Sequence, residues 1–443
     1  MPKKKTALTI EERLQQALVP AEEQPYEVPE NWVWVRLIGN VNSCLDGYRK
    51  PINSSERAKR VGKVPYYGAT GQVGWIDDYL TNEHLVLLGE DGAPFLDLLK
   101  DKAYIIFGEA WVNNHAHILK SYFGEIGNVF LMHYLNMVDY KDYVKGTTRL
   151  KLTQGSMQLM PFPLPPLSEQ QRIVERIEEL FAKLDEAKER LQEVADSFAV
   201  RKAAILHKAF TGELTKQWRR ENGVSDESWE EKKLGDICKI GSGGTPSRKH
   251  EEYYNGNIPW IKTGELAWNV ITESEEYITE EAVANSSAKM HFAGSVLVAM
   301  YGQGLTRGKA AILGINATTN QAVCALQPLE LLTSEFLFYY FMKNYWQFRE
   351  EAVGGNQPNY SAKMISNWVI NLPSLPEQHE IVRLIDDLLT RERSAQQAAE
   401  QALASIDLMK KSILARAFRG ELGTNKASEA SAVELLKQVL AEK

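Results

Sequence analysis

The stretches "LPPLSEQQRIV" (Leu164–Val174) and "LPSLPEQHEIV" (Leu372–Val382) are two copies of one phrase within a chain of 443 residues. They align without a gap at an offset of 208, and the same register pairs "AFTGEL" (Ala209–Leu214) with "AFRGEL" (Ala417–Leu422). An internal repeat indicates a structural unit that is used twice. Because the two copies have kept the same length between their phrases, the length of the connecting segment itself matters.

The first copy contains apolar residues that recur at alternating steps of three and four, and the second follows the same frame with an interruption at Glu392. This spacing predicts a long helix that packs along its length against another helix. The two equal lengths favour pairing with each other, as an intramolecular antiparallel coiled coil, over two separate bundle helices or a homodimeric coil. The first seam consists of Ile173, Ile177, Leu180, Leu184, Ala187, Leu191, Val194 and Phe198, and the second of Ile381, Ile385, Leu388, Ala395, Ala399, Ala402, Ile406 and Ile413.

Start and stop signals flank both predicted helices. A serine followed three residues later by Glu or Gln predicts a capping box at each start, and a glycine after the last apolar residue predicts a C′ position at each end. The predicted capping pairs are Ser168 with Gln171 and Ser374 with Glu377, and the predicted C′ glycines are Gly212 and Gly420.

A segment of mixed pattern precedes each repeated helix. Short β-rich runs such as "HLVLLG" (His84–Gly89) and "SVLVAM" (Ser295–Met300) alternate with loops and with helical pieces such as "SEFLFYYFMKNYWQF" (Ser334–Phe348). Each segment is predicted to be a compact domain of mixed α/β (α+β) structure. The interiors of the two segments do not align by eye, so the framework repeats while its content varies.

The predicted organisation therefore has an internal, circular pseudo-two-fold repeat of two domains and two long helices. The predicted boundaries are 1–28 for an N-terminal helical segment, 29–163 for the first domain, 164–214 for the first helix, 222–371 for the second domain, 372–422 for the second helix and 423–443 for a C-terminal helical tail.

The composition is that of a globular protein, with 44% hydrophobic and 25% charged residues. No apolar stretch has the length of a bilayer span and no signal-peptide pattern follows the N-terminal lysines, so a cytoplasmic location is expected. Three widely spaced cysteines favour neither a disulfide framework nor a cysteine zinc site. The net charge of −7 argues against a protein that coats nucleic acid over its whole surface but allows local basic faces.

Basic residues cluster locally in both domains, interleaved with Asn, Gln, Thr, Tyr and Trp. Such clusters combine phosphate contacts with donors and acceptors for base edges. A single charge run is more often a solvated face, so the hypothesis of DNA binding depends on clusters occurring in both domains. The candidate DNA contacts are Arg49, Lys50, Arg57, Lys59, Arg149 and Lys151 in the first domain, and Thr245, Arg248, Lys262, Gln303, Arg307, Lys309, Gln357 and Asn359 in the second.

Three stretches resemble catalytic motifs but depart from them. In "GQGLTRGKA" (Gly302–Ala310), five residues instead of four separate the outer glycines, and Ala310 replaces the Ser or Thr of a phosphate loop. "NQPNY" (Asn356–Tyr360) differs from the Asn-Pro-Pro-Tyr type of motif of amino-methyltransferases. His115 and His117 would lie on one side of a strand, but without a third ligand a polar or core role is favoured over zinc. No catalytic, cofactor-binding or metal-binding residues are predicted.

The doubled Glu-Gln helix start, the "AFxGEL" ends and the two variable domains together resemble the specificity subunit of type I restriction-modification enzymes. "GSGGTPSRKHEEYYNGNIPWIKTGEL" (Gly241–Leu266) is similar to that family's target recognition domains. The first domain departs from this pattern, with "PYYGATGQVGWIDDY" (Pro65–Tyr79) in place of a "GGTPS" stretch. The resemblance covers nearly the whole chain.

The resemblance implies a non-catalytic subunit whose two domains each recognise one half of a split target in double-stranded DNA. It also implies that the paired helices act as a spacer and bind two methyltransferase subunits, which restriction subunits then join. The S-adenosylmethionine would be bound by the methyltransferase partner and not by this chain. A non-enzymatic coiled-coil adaptor that joins two protein-binding domains is the alternative.

The chain ends carry one further similarity. "EERLQQAL" (Glu11–Leu18) resembles "VELLKQVL" (Val433–Leu440). We predict that both are short amphipathic helices that lie near each other or at the methyltransferase interface.

Overall fold

The computed structural model describes residues 9–302, 304–351 and 359–442. The chain forms two compact units, the first from residues 1–192 and 400–443 and the second from residues 193–399. Each unit has the mixed α and β structure that the sequence predicts. Within the described ranges, no helix combines the length and apolarity needed to cross a bilayer.

The helices range from a single turn to the 44 residues of the longest. Numbered along the chain, they are α1 (Ile10–Ala17), α2 (Ser54–Arg57), α3 (Gly124–Met137), α4 (Gln154–Leu159), α5 (Leu167–Asp196), α6 (Phe198–Phe210), α7 (Lys216–Glu221), α8 (Leu234–Ile237), α9 (Glu280–Ala284), α10 (Ser334–Glu351), α11 (Ala362–Asn367), α12 (Leu375–Phe418) and α13 (Ala432–Glu442).

The strands are short in both units. They are β1 (Val33–Arg36), β2 (Asn42–Cys44), β3 (Val64–Gly68), β4 (Gly71–Ile76), β5 (Thr81–Asn82), β6 (Leu85–Gly89), β7 (Ala103–Ile106), β8 (Glu109–Val112), β9 (Ala116–Ser121), β10 (Val144–Lys145), β11 (Lys151–Leu152), β12 (Pro161–Leu164), β13 (Glu230–Lys233), β14 (Cys238–Ser242), β15 (Ile258–Ile261), β16 (Val270–Ile271), β17 (Tyr277–Ile278), β18 (Met290–His291), β19 (Val296–Ala299), β20 (Ala310–Leu313), β21 (Ala317–Thr319), β22 (Val323–Pro328) and β23 (Val369–Leu372).

The two units have the same strand topology. The first contains an antiparallel sheet of order β2–β9–β6–β7 and a mixed sheet of order β4–β3–β8–β5, in which β3 and β8 are parallel. The second contains β14–β22–β19–β20, extended by β16, and a mixed sheet β17–β15–β21–β18 in which β15 and β21 are parallel. A ribbon pairs the first and last strand of each unit's domain, β1 with β12 and β13 with β23. The structural repeat thus extends into segments whose sequences do not align by eye.

An apolar helix covers the antiparallel sheet of each unit. Strand β6 is buried at every position and packs under α3, and β19 is likewise buried under α10. A near-continuous apolar strand is typical of a sheet covered on both faces. The phenylalanine of each "AFxGEL" motif joins this core: the ring centroid of Phe418 lies 5.0 Å from that of Phe130, and that of Phe210 lies 4.8 Å from that of Phe336.

The repeated helices pair antiparallel within each unit. In the first unit, the Lys410 ammonium lies 2.6 Å from Asp185 of α5, and Lys188 lies 3.4 Å from Asp407. In the second unit, Arg201 of α6 lies 2.8 Å from Glu392 of α12. Residue numbers therefore rise on one helix as they fall on the other. The predicted antiparallel coiled coil is confirmed.

The predicted first helix is not continuous, because the structure divides it at Ser197 into α5 and α6. The Ser197 hydroxyl donates to the carbonyl of Val194 at 2.7 Å, and serine side chains that bond the backbone compete with helical hydrogen bonds. The apolar seam also weakens here, since the predicted seam residue Val194 is 43% exposed. Backbone hydrogen bonds from Ser197 to Glu193 and from Arg201 to Ser197 continue across this point, so the predicted first helix is interrupted by one residue, whereas α12 is continuous.

The stop signals are confirmed and the capping boxes are wrong. Gly212 and Gly420 follow α6 and α12 at φ +74° and +73°, the left-handed conformation of a C′ glycine. Ser168, by contrast, lies inside α5, which begins at Leu167. The Glu377 carboxylate accepts hydrogen bonds from another part of the unit instead of from the start of its own helix.

The two ends of the chain meet within the first unit. Helix α1 packs against α13, as the similarity of their sequences predicts. Asn31 donates its side-chain amide to Asn425 at 3.0 Å and so connects the segment after α1 to the segment before α13. The circular arrangement of the repeat is therefore present in the fold.

Candidate nucleic-acid interface

The glutamate of each repeated phrase lies buried at the junction between a domain and the coil. In the first unit, Glu169 is 0% exposed and accepts hydrogen bonds from Thr424 at 2.7 Å and from Arg172 at 2.7 Å. Burial raises the pKa of this carboxyl, and the two hydrogen bonds oppose that effect. Thr424 follows the second "AFxGEL" motif, so the start of the first copy is tied to the end of the second.

The second unit contains the reciprocal contact. Glu377 is 0% exposed and accepts from the Thr215 hydroxyl at 2.6 Å and from the Arg219 guanidinium at 2.7 Å. Thr215 follows the first "AFxGEL" motif, so the start of the second copy is tied to the end of the first. We call these two contacts the glutamate locks, of which the first is Glu169 with Thr424 and Arg172 and the second is Glu377 with Thr215 and Arg219.

The glutamine of each phrase holds its helix to the preceding chain. The Gln170 amide donates to the Pro165 carbonyl at 3.1 Å, and the Gln378 amide donates to the Pro373 carbonyl at 2.9 Å. Gln378 also accepts from the backbone N–H of Thr333, just before α10. The repeated phrase therefore has a structural role at the base of each domain.

Three loops of the first unit leave the antiparallel sheet at one edge. The register pairs Cys44 with Leu119 and Gly89 with Ala116, so the loops after β2 and β6 lie beside the segment before β9. We call the side chains that these loops and the β10–β11 hairpin bring together the first loop edge. It consists of Asp46, Arg49, Glu90, Asp91, His115, Arg149 and Lys151.

Each predicted cation of the first loop edge has a carboxylate partner. Arg49 contacts both Asp46, at 2.9 Å, and Glu90. The Lys151 ammonium lies 2.8 Å from Glu90, and Arg149 lies 2.8 Å from Asp91. Burial opposes ionisation of Glu90, but the hydrogen bonds from Lys151 and Arg49 hold its pKa below the usual range. Arg149 and Lys151 remain mostly exposed, whereas Arg49 is largely enclosed.

The histidines favoured as polar or core residues occupy such positions. His117 is buried, with Nδ1 2.6 Å from the Asp46 carboxylate and Nε2 2.9 Å from the Leu152 carbonyl. His115 lies 2.6 Å from Asp91. Ligand atoms of Cys44, Asp46 and His117 lie within 4.8 Å of one another, as in a metal site. However, both ring nitrogens of His117 already face acceptors, and burial raises the pKa of the Cys44 thiol to about 12, so the cluster suits a hydrogen-bonded core better than a cation.

Two of the three remaining predicted cations of the first domain, Arg57 and Lys50, lie beside aromatic rings. The Arg57 guanidinium lies 4.8 Å from the centre of the Tyr66 ring, and Lys50 lies 5.8 Å from that of Trp111. Lys59 is exposed after α2. Arg60 belongs to the same basic stretch but is not among the candidate contacts, and its guanidinium lies 4.6 Å from the centre of the same Trp111 ring.

The second unit gathers its loops at the equivalent edge. The register pairs Ser242 with Cys324 and Ala299 with Val323, so the loops after β14 and β19 lie beside the segment before β22. The Thr245 hydroxyl donates to the side chain of Gln321, a residue of that segment that sequence reasoning missed. We call this set the second loop edge. It consists of Thr245, Arg248, Lys262, Arg307, Lys309, Gln321 and Asn359, together with the acidic partners Glu275 and Glu276.

Arg248 and Lys262 converge on one carboxylate. The Arg248 guanidinium lies 4.0 Å from the centre of the Tyr254 ring and 2.7 Å from Glu276. Lys262 lies 3.1 Å from Glu276 and 3.0 Å from Glu275, and these contacts raise the pKa of its ammonium. Stacking on an aromatic face holds a guanidinium without removing its capacity to donate hydrogen bonds.

The glycine-rich stretch after β19 lies next to the segment that contains Asn359. The N–H of Tyr360 donates to the Met300 carbonyl at 3.2 Å, and Arg307 lies 5.9 Å from the centre of the Tyr360 ring. Lys309 and Asn359 are half-buried nearby. Two predicted contacts, Gln303 and Gln357, lie outside the described residues. The structure thus brings two separate predicted clusters of the second domain together.

Comparison with known proteins identifies the family. Residues 29–196 and 226–401 match the model of the type I restriction modification DNA specificity domain. A putative type I restriction enzyme specificity subunit of Haemophilus influenzae is 26% identical over 364 residues, covering 80% of this chain and 86% of that one. The EcoDI type I restriction enzyme specificity subunit of Escherichia coli is 23% identical over 453 residues, covering 94% and 96% of the two chains.

A solved structure has the same fold. The HsdS subunit from Thermoanaerobacter tengcongensis aligns with a TM-score of 0.61 at 19% identity, covering 90% of this chain and 100% of that one. Specificity subunits are the non-catalytic components of type I restriction-modification enzymes. With its family model matched in both domains and its fold shared with HsdS, the chain belongs to the family of type I restriction-modification specificity subunits.

Proposed function

We propose that the chain recognises a bipartite target in double-stranded DNA, with one half-site bound by each loop edge. One observation carries this proposal: the two units share a strand topology and differ in the side chains that the equivalent loops present. Two similar frameworks with different polar edges suit two half-sites of different sequence. A single recognition surface would not need the framework twice.

Exposed cations are proposed to contact phosphates. In the first domain these are Arg149 and Lys151 of the first loop edge and, outside that edge, the exposed Lys50 and Lys59. Arg248 of the second loop edge is instead proposed to contact a base edge, together with Gln321 and Asn359. Gln303 and Gln357, which lie outside the described residues, stay proposed base contacts from the sequence alone. Arg49 has a different proposed role, because its two carboxylates already neutralise it, and it orders the loops instead.

We further propose that two methyltransferase subunits bind to the chain, one to each unit, and that restriction subunits join this core. The support is a pair of equivalent grooves between a coil helix and the helix that covers the sheet, with volumes of about 510 Å³ in the first unit and about 490 Å³ in the second. Lys410 and Leu414 line the first groove, and the residues 208 positions earlier, Lys202 and Leu206, line the second. Equivalent linings suit two copies of one partner. The methyl donor S-adenosylmethionine is proposed to stay with that partner.

Methylation of a random DNA library by the chain in complex with its methyltransferase tests the recognition proposal. Sequencing the modified adenines should reveal two short specified sequences separated by unspecified base pairs. The variant Arg248→Ala should relax preference in one half-site only, with discrimination between bases falling about tenfold, while the surface variant Arg220→Ala serves as a matched control. One continuous target, or methylation without sequence preference, would contradict the proposal and favour the coiled-coil adaptor.

A further inference from the structure

Side chains from the last two turns of α10 donate hydrogen bonds to the glycine-rich stretch of the second loop edge. We define the glycine loop as residues 301–302 and 304–309. The Tyr345 hydroxyl donates to the Leu305 carbonyl at 2.5 Å. The Arg349 guanidinium donates to the carbonyls of Arg307 at 2.6 Å and Gly304 at 2.7 Å. One tyrosine and one arginine therefore bind three loop carbonyls.

The backbone of the glycine loop has large conformational freedom, so its fixed conformation depends on contacts with the rest of the unit. Gly302, Gly304 and Gly308 adopt positive φ angles of +151°, +56° and +87°. Glycine reaches these conformations without steric cost but also leaves them easily, so a glycine-rich loop loses much conformational entropy when it is fixed. Backbone hydrogen bonds to a rigid neighbour offset that loss.

Helix α10 supplies the rigid neighbour. Its residues Phe336, Phe341 and Phe348 are buried in the core of the second unit, so the helix is fixed over the sheet. Tyr345 is only 8% exposed and its ring packs 5.5 Å from that of Trp268. The planar Arg349 guanidinium donates to the two carbonyls from two separate nitrogens, a fixed spread of donors that the single nitrogen of a lysine does not reproduce.

We propose that Arg349 and Tyr345 are positioning residues for DNA sequence discrimination, which fix the glycine loop so that Arg307 and its neighbours meet the half-site in one geometry. This inference rests on the proposed recognition of DNA by the second loop edge. A loop that is already ordered binds without a further entropic loss and rejects the wrong base more strongly, because it does not adjust to it.

The test uses the chain in complex with its methyltransferase and the random-library methylation assay. The variants are Arg349→Lys, which retains the charge, and Tyr345→Phe, which removes one buried hydroxyl and retains the ring. Both should lower discrimination at positions of the half-site affected by Arg248→Ala, by about tenfold for Arg349→Lys and less for Tyr345→Phe. The other half-site should be unchanged, and the melting temperature should fall by no more than about 2–4 °C. Because Tyr345 is buried, agreement between the variants distinguishes positioning of the loop from direct DNA contact by Arg349.

The variant Arg307→Ala distinguishes DNA recognition by the glycine loop from the positioning of that loop by α10. If Arg307→Ala relaxes the half-site but Arg349→Lys and Tyr345→Phe do not, the positioning role is overturned and DNA recognition by the loop stands. If Arg307→Ala alters the base preference at no position of the half-site, the glycine loop does not recognise bases. DNA recognition by this loop and the positioning role of Arg349 and Tyr345 are then both overturned. A uniform loss of methylation without altered base preference would show a merely structural role and would also overturn the inference.

Discussion

The two loop edges occupy equivalent positions on equivalent sheets, yet their corresponding loops, after β2 and after β14, are joined to neighbouring loops by different contacts. On the first edge, Arg49 lies between Asp46 and Glu90, so charged contacts fix the loops. On the second, the corresponding loop after β14 is joined to its neighbour by the uncharged contact of Thr245 with Gln321. The strand ends determine where loops gather, while the loop residues determine the chemistry that they present.

The glutamate locks at the base of the domains also combine a shared framework with different neighbouring side chains. Both carboxylates are buried and both accept from a threonine after the opposite "AFxGEL" motif. Their arginines differ: Arg219 is nearly enclosed, with 6% of its side chain exposed, whereas Arg172 has 24% exposed. The shared framework thus accommodates an enclosed and a more exposed arginine, and we expect the two locks to contribute different free energies to stability.

Removing the lock carboxylates should produce the largest effect. Glu377→Ala leaves the enclosed Arg219 without one of its two carboxylate partners, and breaking a buried ion pair typically costs about 3–5 kcal/mol. Glu169→Ala should cost less, about 1–3 kcal/mol, because water reaches Arg172 more easily. Hydrogen-exchange mass spectrometry of residues 209–222 and 417–430 measures the two losses separately. Equal losses would contradict the distinction between the locks, and Glu179→Ala on the exposed face of α5 is the control.

The two C′ glycines allow a sharper comparison, because their φ angles are nearly identical. Replacing either by alanine should cost about 1–2 kcal/mol for the left-handed backbone alone. At Gly420 the new Cβ would lie 2.4 Å from Cγ of Pro29, whereas at Gly212 it would lie 2.9 Å from the end of the Arg219 side chain. A proline ring has little freedom to move, so Gly420→Ala should be the more destabilising variant in urea unfolding. The opposite order would show that Arg219 is held more rigidly than Pro29.

The features that the sequence predicts correctly are those that depend on local periodicity. The heptad spacing and the two glycines report on neighbouring turns of one helix, so the antiparallel coil and its ends follow from them. The role of Glu377 does not, because its partner Thr215 lies 162 positions away and the local pattern resembles a capping box. The break at Ser197 was also missed, since serine is compatible with both a helix and its interruption.

The candidate interface was predictable by residue type but not by arrangement. Arg49 belongs to a basic cluster, yet the Glu90 that neutralises it lies 41 positions away, in another loop. Arg349 carries no motif and lies at the end of an apolar helix, so only the folded loop reveals its contacts. The shared strand order could not be predicted from the sequence either. A short strand requires a pattern of buried and exposed positions more than particular residues, and many residues satisfy the same pattern.

Acid should loosen the loop after β2 more than the corresponding loop after β14, and this is the smallest of the three stability effects. Burial would raise the pKa of Asp46, but hydrogen bonds from His117 and Ile118 and the charge of Arg49 lower it overall. A carboxyl with a lowered folded-state pKa stabilises the fold above its unfolded value and loses that contribution as pH falls toward the folded value. Hydrogen exchange over residues 42–49 should therefore accelerate below about pH 4. Residues 240–245 should respond less, because the Thr245–Gln321 contact contains no titratable group. Asp46→Asn should remove the response of the loop after β2, and an equal response in that variant would assign the effect to Glu90 instead.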